Sequence, residues 1–300
     1  MLSVVIPSYN EEKNIENTAN VISGILENAS IPYELIFVND GSKDNTWEEI
    51  CKAAGDHIRG VCFSRNFGKE PAIFAGLSEA KGECAVVIDC DLQHPPLTLV
   101  EMYKLWQEGY EVVEGVKSDR GEESKAHGLA AKAFYSIISK SVKIDMSRAS
   151  DFKLMDRKAL DALLAMPERN TFFRALSSWV GFKTTYVEYE VAERFEGETK
   201  WSTRSLIKYA IDNISSFSTV PMQLVTILGS IILVISIIFS IISLVQKIMG
   251  ISTSGFTTVI LLLGFIGSII MISLGIIGYY IAKIYNEVKG RPRYIISKRV

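Results

Sequence analysis

Asp89 and Asp91, with Cys90 between them and Gln93 two residues on, stand at the end of the apolar run Val86-Val87-Ile88 and just before Pro95-Pro96. An extended strand alternates its side chains, so the two carboxylates face one way and Cys90 the other; continued extension adds Gln93 to the carboxylate side. Two carboxylates and an amide oxygen are hard donors suited to Mg2+ or Mn2+, ions that keep several waters and complete their shell with substrate phosphates. An Asp-X-Asp alone also occurs in turns that merely solvate or cap, so its meaning depends on what surrounds it.

The elements that must position these acids repeat one pattern. Leu2-Ser3-Val4-Val5-Ile6-Pro7 reads as a short strand; Ser8-Tyr9-Asn10-Glu11-Glu12 turns into a helix with apolar Ile15, Ala19, Ile22 and Leu26. The strand over 33–39 is followed by the turn Asp40-Gly41-Ser42 and a helix that Asp44-Asn45-Thr46 can cap, running through Ala54. Val61-Cys62-Phe63 leads through residues 64–69 into a helix over 70–80, and a fourth strand spans 85–89. Apolar strands alternating with helices predict a parallel, doubly wound sheet covered on both faces. Ligands of such sheets sit at the carboxyl ends of the strands, which places residues 8–11, Asn39-Asp40-Gly41, 65–69 and 89–93 along one rim. There Asp40 either accepts hydrogen bonds from a base or ribose, or only shapes an Asp-Gly turn.

The second half differs in texture. A strand is expected over 111–115, then the charged, glycine-broken stretch 117–125, a helix over 126–140, a helix over 157–164, the aromatic-rich Phe172-Phe173-Arg174 to Trp179, and an edge-like strand over 183–190. Leu206, Ile207, Ala210, Ile211 and Ile214 form one helix face, with Lys200, Arg204 and Lys208 on the polar side, as in a helix lying in the headgroup plane of a membrane. It reads either as a connector or as a cradle for an anionic lipid head, and the basic side favours the cradle.

Residues 213–246 and 248–282 contain no charged side chain, and Lys247 alone separates them. Each run reaches the roughly 20 apolar residues that cross a bilayer core, predicting membrane helices over 220–245 and 257–283 with a loop over 247–254. Lys283, Lys289, Arg291, Arg293, Lys298 and Arg299 follow, so the positive-inside rule predicts a cytoplasmic tail and, with two crossings, a cytoplasmic N-terminal part. No signal peptide is expected, because Met1-Leu2-Ser3 enters a strand directly. The expected layout is a catalytic domain over 1–200, a juxtamembrane amphipathic helix over 201–218, two membrane helices over 219–283 and a basic tail over 284–300. A formal net charge of -2 gives no pointer to nucleic acid, and Cys51, Cys62, Cys84 and Cys90 lack metal-site spacing and are expected as reduced, mostly buried thiols.

In order along the chain, Val4-Val5-Ile6-Pro7-Ser8-Tyr9-Asn10-Glu11, Val38-Asn39-Asp40-Gly41-Ser42 with Asp44 and Thr46, Ser64-Arg65-Asn66-Phe67-Gly68-Lys69, and Asp89-Cys90-Asp91-Leu92-Gln93-His94-Pro95-Pro96 resemble the family 2 glycosyltransferases with a GT-A fold. Asp151-Phe152-Lys153-Leu154-Met155-Asp156-Arg157, Trp179-Val180-Gly181-Phe182 and Arg194 with Gly197-Glu198-Thr199-Lys200 resemble, more narrowly, the polyprenyl-phosphate glycosyltransferases, which include dolichyl-phosphate mannose synthase and the bactoprenol glucosyltransferases. Two C-terminal membrane helices fit the bactoprenol branch. The chain departs from the pattern at Ser150, Lys153 and Cys90, where Gly, Arg and Ala are usual.

The resemblance implies that Pro7, Tyr9, Glu11 and Asp40 hold the nucleotide, with Lys69 on the same rim. It implies that Asp89, Asp91 and Gln93 hold Mg2+ or Mn2+ on the diphosphate, that Asp151 joins Asp91 at the reacting centre, and that Arg120, Lys125, Arg194 and Lys200 meet the phosphates of donor and acceptor. The implied reaction is inverting transfer of a sugar from a nucleoside diphosphate, UDP-glucose first, to polyprenyl phosphate, which makes a lipid-linked donor for cell-envelope glycosylation. N-acetylglucosamine, mannose and an aminoarabinose-type sugar stand behind glucose, and the base, uracil or guanine, is unread. An integral protein of a bacterial-type cell membrane, with both termini cytoplasmic, and a homo-oligomer built through the membrane helices are implied as well. Two rivals make other predictions: a membrane-anchored sugar-nucleotide sensor binds donor without product, and a processive polysaccharide synthase carries a Gln-X-X-Arg-Trp signature that this chain lacks.

Overall fold

A computed structural model describes residues 1–118, 150–168, 172–190, 220–250 and 255–300. The expectations placed on Arg120, Lys125, Arg194, Lys200, the helix over 126–140 and the interfacial helix over 201–218 lie outside the described residues. The chain divides into two compact units, residues 1–207 with 292–300, and residues 208–291.

In the first unit, strands β1 (Leu2–Ser8), β2 (Tyr33–Asn39), β3 (Ile58–Phe63) and β4 (Cys84–Val87) alternate with helices α1 (Ile15–Asn28), α2 (Thr46–Ala53) and α3 (Lys69–Glu79). β1 pairs in parallel with β2 and β4, and β2 with β3, as the alternation predicts. Every residue of β2 and β4 is buried, the mark of strands covered on both faces. Helix α4 (Thr98–Gln107), which the sequence reading passed over, buries Leu99, Met102 and Tyr103 in the same core.

Beyond β5 (Val112–Lys117) the sheet stops being parallel. β6 (Lys153–Asp156) enters antiparallel between β4 and β5, and α5 (Arg157–Leu164), α6 (Phe173–Trp179) and β7 (Thr184–Tyr189) follow. The sheet is mixed, in the order β7-β5-β6-β4-β1-β2-β3-β8, and mostly parallel as expected, with β6 and β8 running against the other strands. A strand running against β4 brings its amino end to the rim where β4 ends, with Lys153 opposite Val87. Asp156 then starts α5, accepting the Lys158 N–H at 2.9 Å.

An eighth strand lies within the expected basic tail over 284–300. Residues 284–288 still belong to helix α8 (Phe256–Val288), whose end is set by Gly290 at φ 72°, with Pro292 beyond it. Ile296–Arg299 then forms β8, antiparallel to β3. Tyr294 stacks on Phe63 at 5.1 Å, Arg293 lies over the Phe74 ring at 5.0 Å, and the Arg293 guanidinium donates to the carbonyls of Met166 and Glu168. β3 offers an open edge, and the backbone of residues 295–300 satisfies it, with Gly60 and Val300 exchanging N–H to carbonyl bonds at 2.9 and 3.0 Å.

The second unit holds α7 (Val220–Ile248) and α8. Among the described residues one stretch, Leu262–Val288, is long and apolar enough to cross a membrane; Val225–Phe239 is a shorter apolar stretch within α7.

Candidate active site

The loops that leave β1, β2 and β3 meet at the carboxyl edge of the sheet. Asn10 N–H donates to Ser42 Oγ at 2.9 Å, Glu11 N–H to Thr46 Oγ1 at 2.9 Å, and Lys43 N–H to Asn10 Oδ1 at 2.9 Å. Glu12 closes the reverse direction, its Oε2 accepting Asn45 N–H at 3.0 Å. Asn10 sits at φ 55°, the left-handed region that asparagine tolerates better than most residues. Gly41, at φ 63°, lies against the backbone of Arg65 and Asn66, where a Cβ would collide.

Asp40 is the hub of this seam. Buried at 3% exposure, it accepts Phe67 N–H on Oδ1 at 2.6 Å and Gly68 N–H on Oδ2 at 2.9 Å. Burial raises its pKa, and those two N–H groups oppose the rise. Asp40 thus shapes the β3–α3 connection as well as standing at the head of its own Asp-Gly turn. Pro7, Tyr9 and Glu11 line the same edge half-buried, and the Glu11 carboxylate accepts Asn14 Nδ2–H at 2.6 Å.

The acids occupy the next stretch of the rim. β4 ends at Val87, and residues 90–91 turn with Leu92 at φ 55°, so strand alternation does not set the directions of Asp89, Asp91 and Gln93 as the sequence reading assumed. Such a turn supplies its own internal bond: Gln93 N–H donates to Asp91 Oδ1 at 3.1 Å. Cys90 is buried in the core away from this edge, its carbonyl accepting Thr18 Oγ1–H at 2.8 Å.

Lys69, the first residue of α3, joins the two acid groups, with Nζ 2.6 Å from Asp89 Oδ1 and 3.5 Å from Asp151 Oδ2. Asp151 lies two residues before β6 and is gripped by Arg174 of α6, whose Nε and an Nη donate to Oδ1 at 2.7 Å and Oδ2 at 2.9 Å. Burial would push Asp151 up, but Arg174 and then Lys69 override it and hold the carboxyl far below the usual range. In the same way burial would raise Asp89, yet the Lys69 ammonium keeps it ionised, and the two carboxylates together hold Lys69 protonated against desolvation. Glu70 is different: burial first, then the charge of Asp151, pushes it up to about 8, although its Oε2 accepts Phe173 N–H at 2.8 Å. Two cations face two carboxylates, and the fifth group balances the cluster by keeping its proton.

Behind the cluster, Lys153 is fully buried and donates to Glu114 Oε1 at 2.8 Å and to Ser177 Oγ at 2.6 Å. Ser177 in turn donates to the Phe173 carbonyl at 2.6 Å, so β5, β6 and α6 are tied by one network directly under Arg174. Arg174, Glu70, Glu114 and Tyr189 were not singled out from the sequence. Arg174 carried a weak signal as a cation in an aromatic run; the others carried none, because their partners lie in distant segments.

Among the described residues no three His, Cys, Asp or Glu side chains converge as a metal cage. Asp89, Asp91 and Gln93 carry hard oxygen donors, the type that Mg2+ or Mn2+ takes beside phosphate oxygens, and Lys69 already compensates one oxygen of Asp89.

Residues 3–164 match the family model described as glycosyl transferase family 2. The chain belongs to this family. Its curated relatives cover it end to end. A glycosyltransferase of Synechocystis sp. is 40% identical over 99% of this chain and 94% of its own length. The prophage bactoprenol glucosyl transferase homolog of Escherichia coli (strain K12) is 37% identical over 99% of this chain and 98% of its own. The bactoprenol glucosyl transferase of Shigella phage SfX is 35% identical over 99% of both. Among solved structures, glucosyl-3-phosphoglycerate synthase from Mycobacterium tuberculosis, in complex with Mn2+, UDP-glucose and phosphoglyceric acid, aligns with a TM-score of 0.52 at 21% identity, covering 72% of this chain and 78% of that one. The fold is therefore a mixed α/β, GT-A-like one, and the family 2 chain is a glycosyltransferase.

Proposed function

We propose that this family 2 enzyme transfers glucose, with inversion, from UDP-glucose to the phosphate of a membrane polyprenol. The observation that carries the reading is end-to-end similarity, at 35–37% identity, to proteins named bactoprenol glucosyl transferases. In the reaction the anomeric carbon–oxygen bond to the diphosphate breaks as a phosphate oxygen of the acceptor bonds to that carbon from the opposite face, and the nucleoside diphosphate leaves with the bonding pair. A Mg2+ or Mn2+ held by Asp89, Asp91 and Gln93 would supply charge compensation for the departing diphosphate. Arg120, Lys125, Arg194 and Lys200 are proposed for the phosphates of the two substrates, and Pro7, Tyr9, Glu11 and Asp40 for the nucleotide.

Asp151 serves this chemistry as a fixed anion. An acceptor phosphate with a second pKa near about 6 is already ionised at neutral pH and needs no base. A carboxylate forked by Arg174 and paired with Lys69 is a poor proton acceptor, which matches a positioning role. Asp151 therefore orients the donor hydroxyls or the acceptor and holds Arg174 and Lys69 aimed at phosphate.

A polyprenol leaves the bilayer at a cost of about 0.8 kcal/mol per exposed CH₂, so enzyme and acceptor must share a membrane. We propose two crossings, by α7 and α8, with the catalytic unit and both termini cytoplasmic. The sheet supports an even number of crossings: β3 precedes both helices, β8 follows them, and the two strands pair. Homo-oligomerisation through these helices is part of the same proposal.

The test is an assay of membranes containing the protein with undecaprenyl phosphate, Mg2+ or Mn2+ and a panel of labelled sugar nucleotides. Glucosyl lipid as the main product, abolished by chelation, is expected; donor binding without lipid product, or a polymeric product, overturns the reading.

A further inference from the structure

Tyr189 ends β7 at the same rim as Asp89 and Asp151. Its ring is fixed. It stands edge-on to His94 at 5.5 Å and 88°, and edge-on to Phe152 at 5.5 Å and 81°; those two stack on each other at 4.7 Å and 12°. The box is tied to the acid turn, since Asp89 N–H points at His94 Nδ1 at 3.5 Å. Phe152 is wholly buried beside Asp151.

The other end of Tyr189 is unspent. Among the described residues its hydroxyl makes no hydrogen bond, yet Asp89, Arg174, Asp151 and Lys69 all act on it electrostatically. Half-buried tyrosines ordinarily place the O–H on a partner. Here the ring is pinned by two neighbours while the O–H lies within electrostatic reach of Asp89, Asp151, Lys69 and Arg174.

We propose that Tyr189 contacts the substrate and helps determine specificity, its O–H donating to a hydroxyl of the donor hexose. The inference rests on the proposed glucosyl transfer and adds the residue that reads the sugar. The charged groups here are matched in pairs, Lys69 and Arg174 against Asp89 and Asp151. A sugar hydroxyl both donates and accepts, so it is served by an acceptor for its proton together with a donor for its oxygen. The carboxylates supply the first and the Tyr189 O–H supplies the second. Burial, then the Asp89 charge, pushes the phenol up to about 12, so it remains a donor throughout the working range.

The test uses Tyr189→Phe, which keeps the ring and therefore the contacts with His94 and Phe152. Calorimetry on the full chain in detergent with Mg2+ compares UDP-glucose with UDP. The expected result is a loss of about tenfold in affinity for UDP-glucose, the worth of one hydrogen bond, with UDP unchanged. Equal losses on both ligands, which would put the O–H on the diphosphate, or no loss on either, overturn the proposal. Monodeoxy UDP-glucose analogues give an independent measurement: one of them should lose the same factor with the wild type and nothing more with Tyr189→Phe, and strict additivity for every analogue also overturns it. If the wild type makes glucosyl lipid while Tyr189→Phe binds both ligands normally, this inference alone fails. If the wild type makes no glucosyl lipid, the functional reading fails, and the same comparison with whichever sugar nucleotide binds still decides for Tyr189.

Discussion

The rim has two halves built on opposite principles. On the side of β1, β2 and β3, short side chains and backbone N–H groups of residues 10–12, 40–46 and 67–68 bind each other, and the one buried carboxylate, Asp40, is satisfied by two N–H donors. On the side of β4, β6 and α6, Lys69, Asp89, Asp151 and Arg174 hold each other by charge, with Glu70 at their edge. Backbone N–H groups held by side chains of the fold itself fix a shape. Matched charges respond to any phosphate or cation that arrives, which suits the half where bonds are to be broken.

The largest effect should come from within the charged half. Asp91→Asn is expected to lower kcat by about 10²–10³-fold, the usual loss when a group that stabilises developing charge is removed. Asp151→Asn should cost only about tenfold, since it loses positioning rather than a base. Rates of glucosyl-lipid formation between pH 6 and 9 compare them, and equal collapse across that range would return Asp151 to the role of base.

The buried pair beneath is read in stability rather than rate. Lys153→Met leaves Glu114 charged and unpaired, a loss of about 3–5 kcal/mol in stability, and adding Glu114→Gln should restore much of it. Denaturant unfolding of the purified protein reads both; a double variant no better than the single one would remove the pair from the support of Arg174.

In the neutral half, Asp40→Asn sets an amide N–H₂ against one of two backbone N–H donors. A cost of about 1–3 kcal/mol is expected. It should appear as a higher KM for the sugar nucleotide with kcat nearly kept, because the seam shapes the pocket without touching the reacting bond. A fall in kcat alone would erase the contrast between the two halves.

A separate test concerns pH. Glu70 holds its proton more tightly folded than unfolded, with a pKa raised to about 8 from an ordinary 4.5. Stability from this group is complete below the lower value and is lost as pH rises toward the upper one. Glu70→Gln should flatten that decline, seen as a melting temperature less dependent on pH between 5 and 8.

Much of the neutral half was legible in the sequence. The alternation of β1 to β4 with helices put residues 8–11, Asn39-Asp40-Gly41 and 65–69 on one edge, and the structure has them there. The charged half was not. Asp151 was assigned by resemblance alone, and its partner Arg174 was passed over, because their meeting depends on β6 running against β4 across an interval of more than sixty residues. Asp89 and Asp91 were placed by strand alternation that ends two residues too soon, at Val87.

Local order, the first four strands, the apolar stretches near the C-terminus and the family are properties that residue type and spacing determine by themselves, since each rests on short-range periodicity or on a run of contiguous residues. Which way β6 runs, that residues 296–299 close the far edge of the sheet, and that Tyr189, His94 and Phe152 share one corner of the rim were decided only by the tertiary structure. Pairing direction and cross-strand contact depend on which edges are left open once everything else has packed, and no local pattern encodes that.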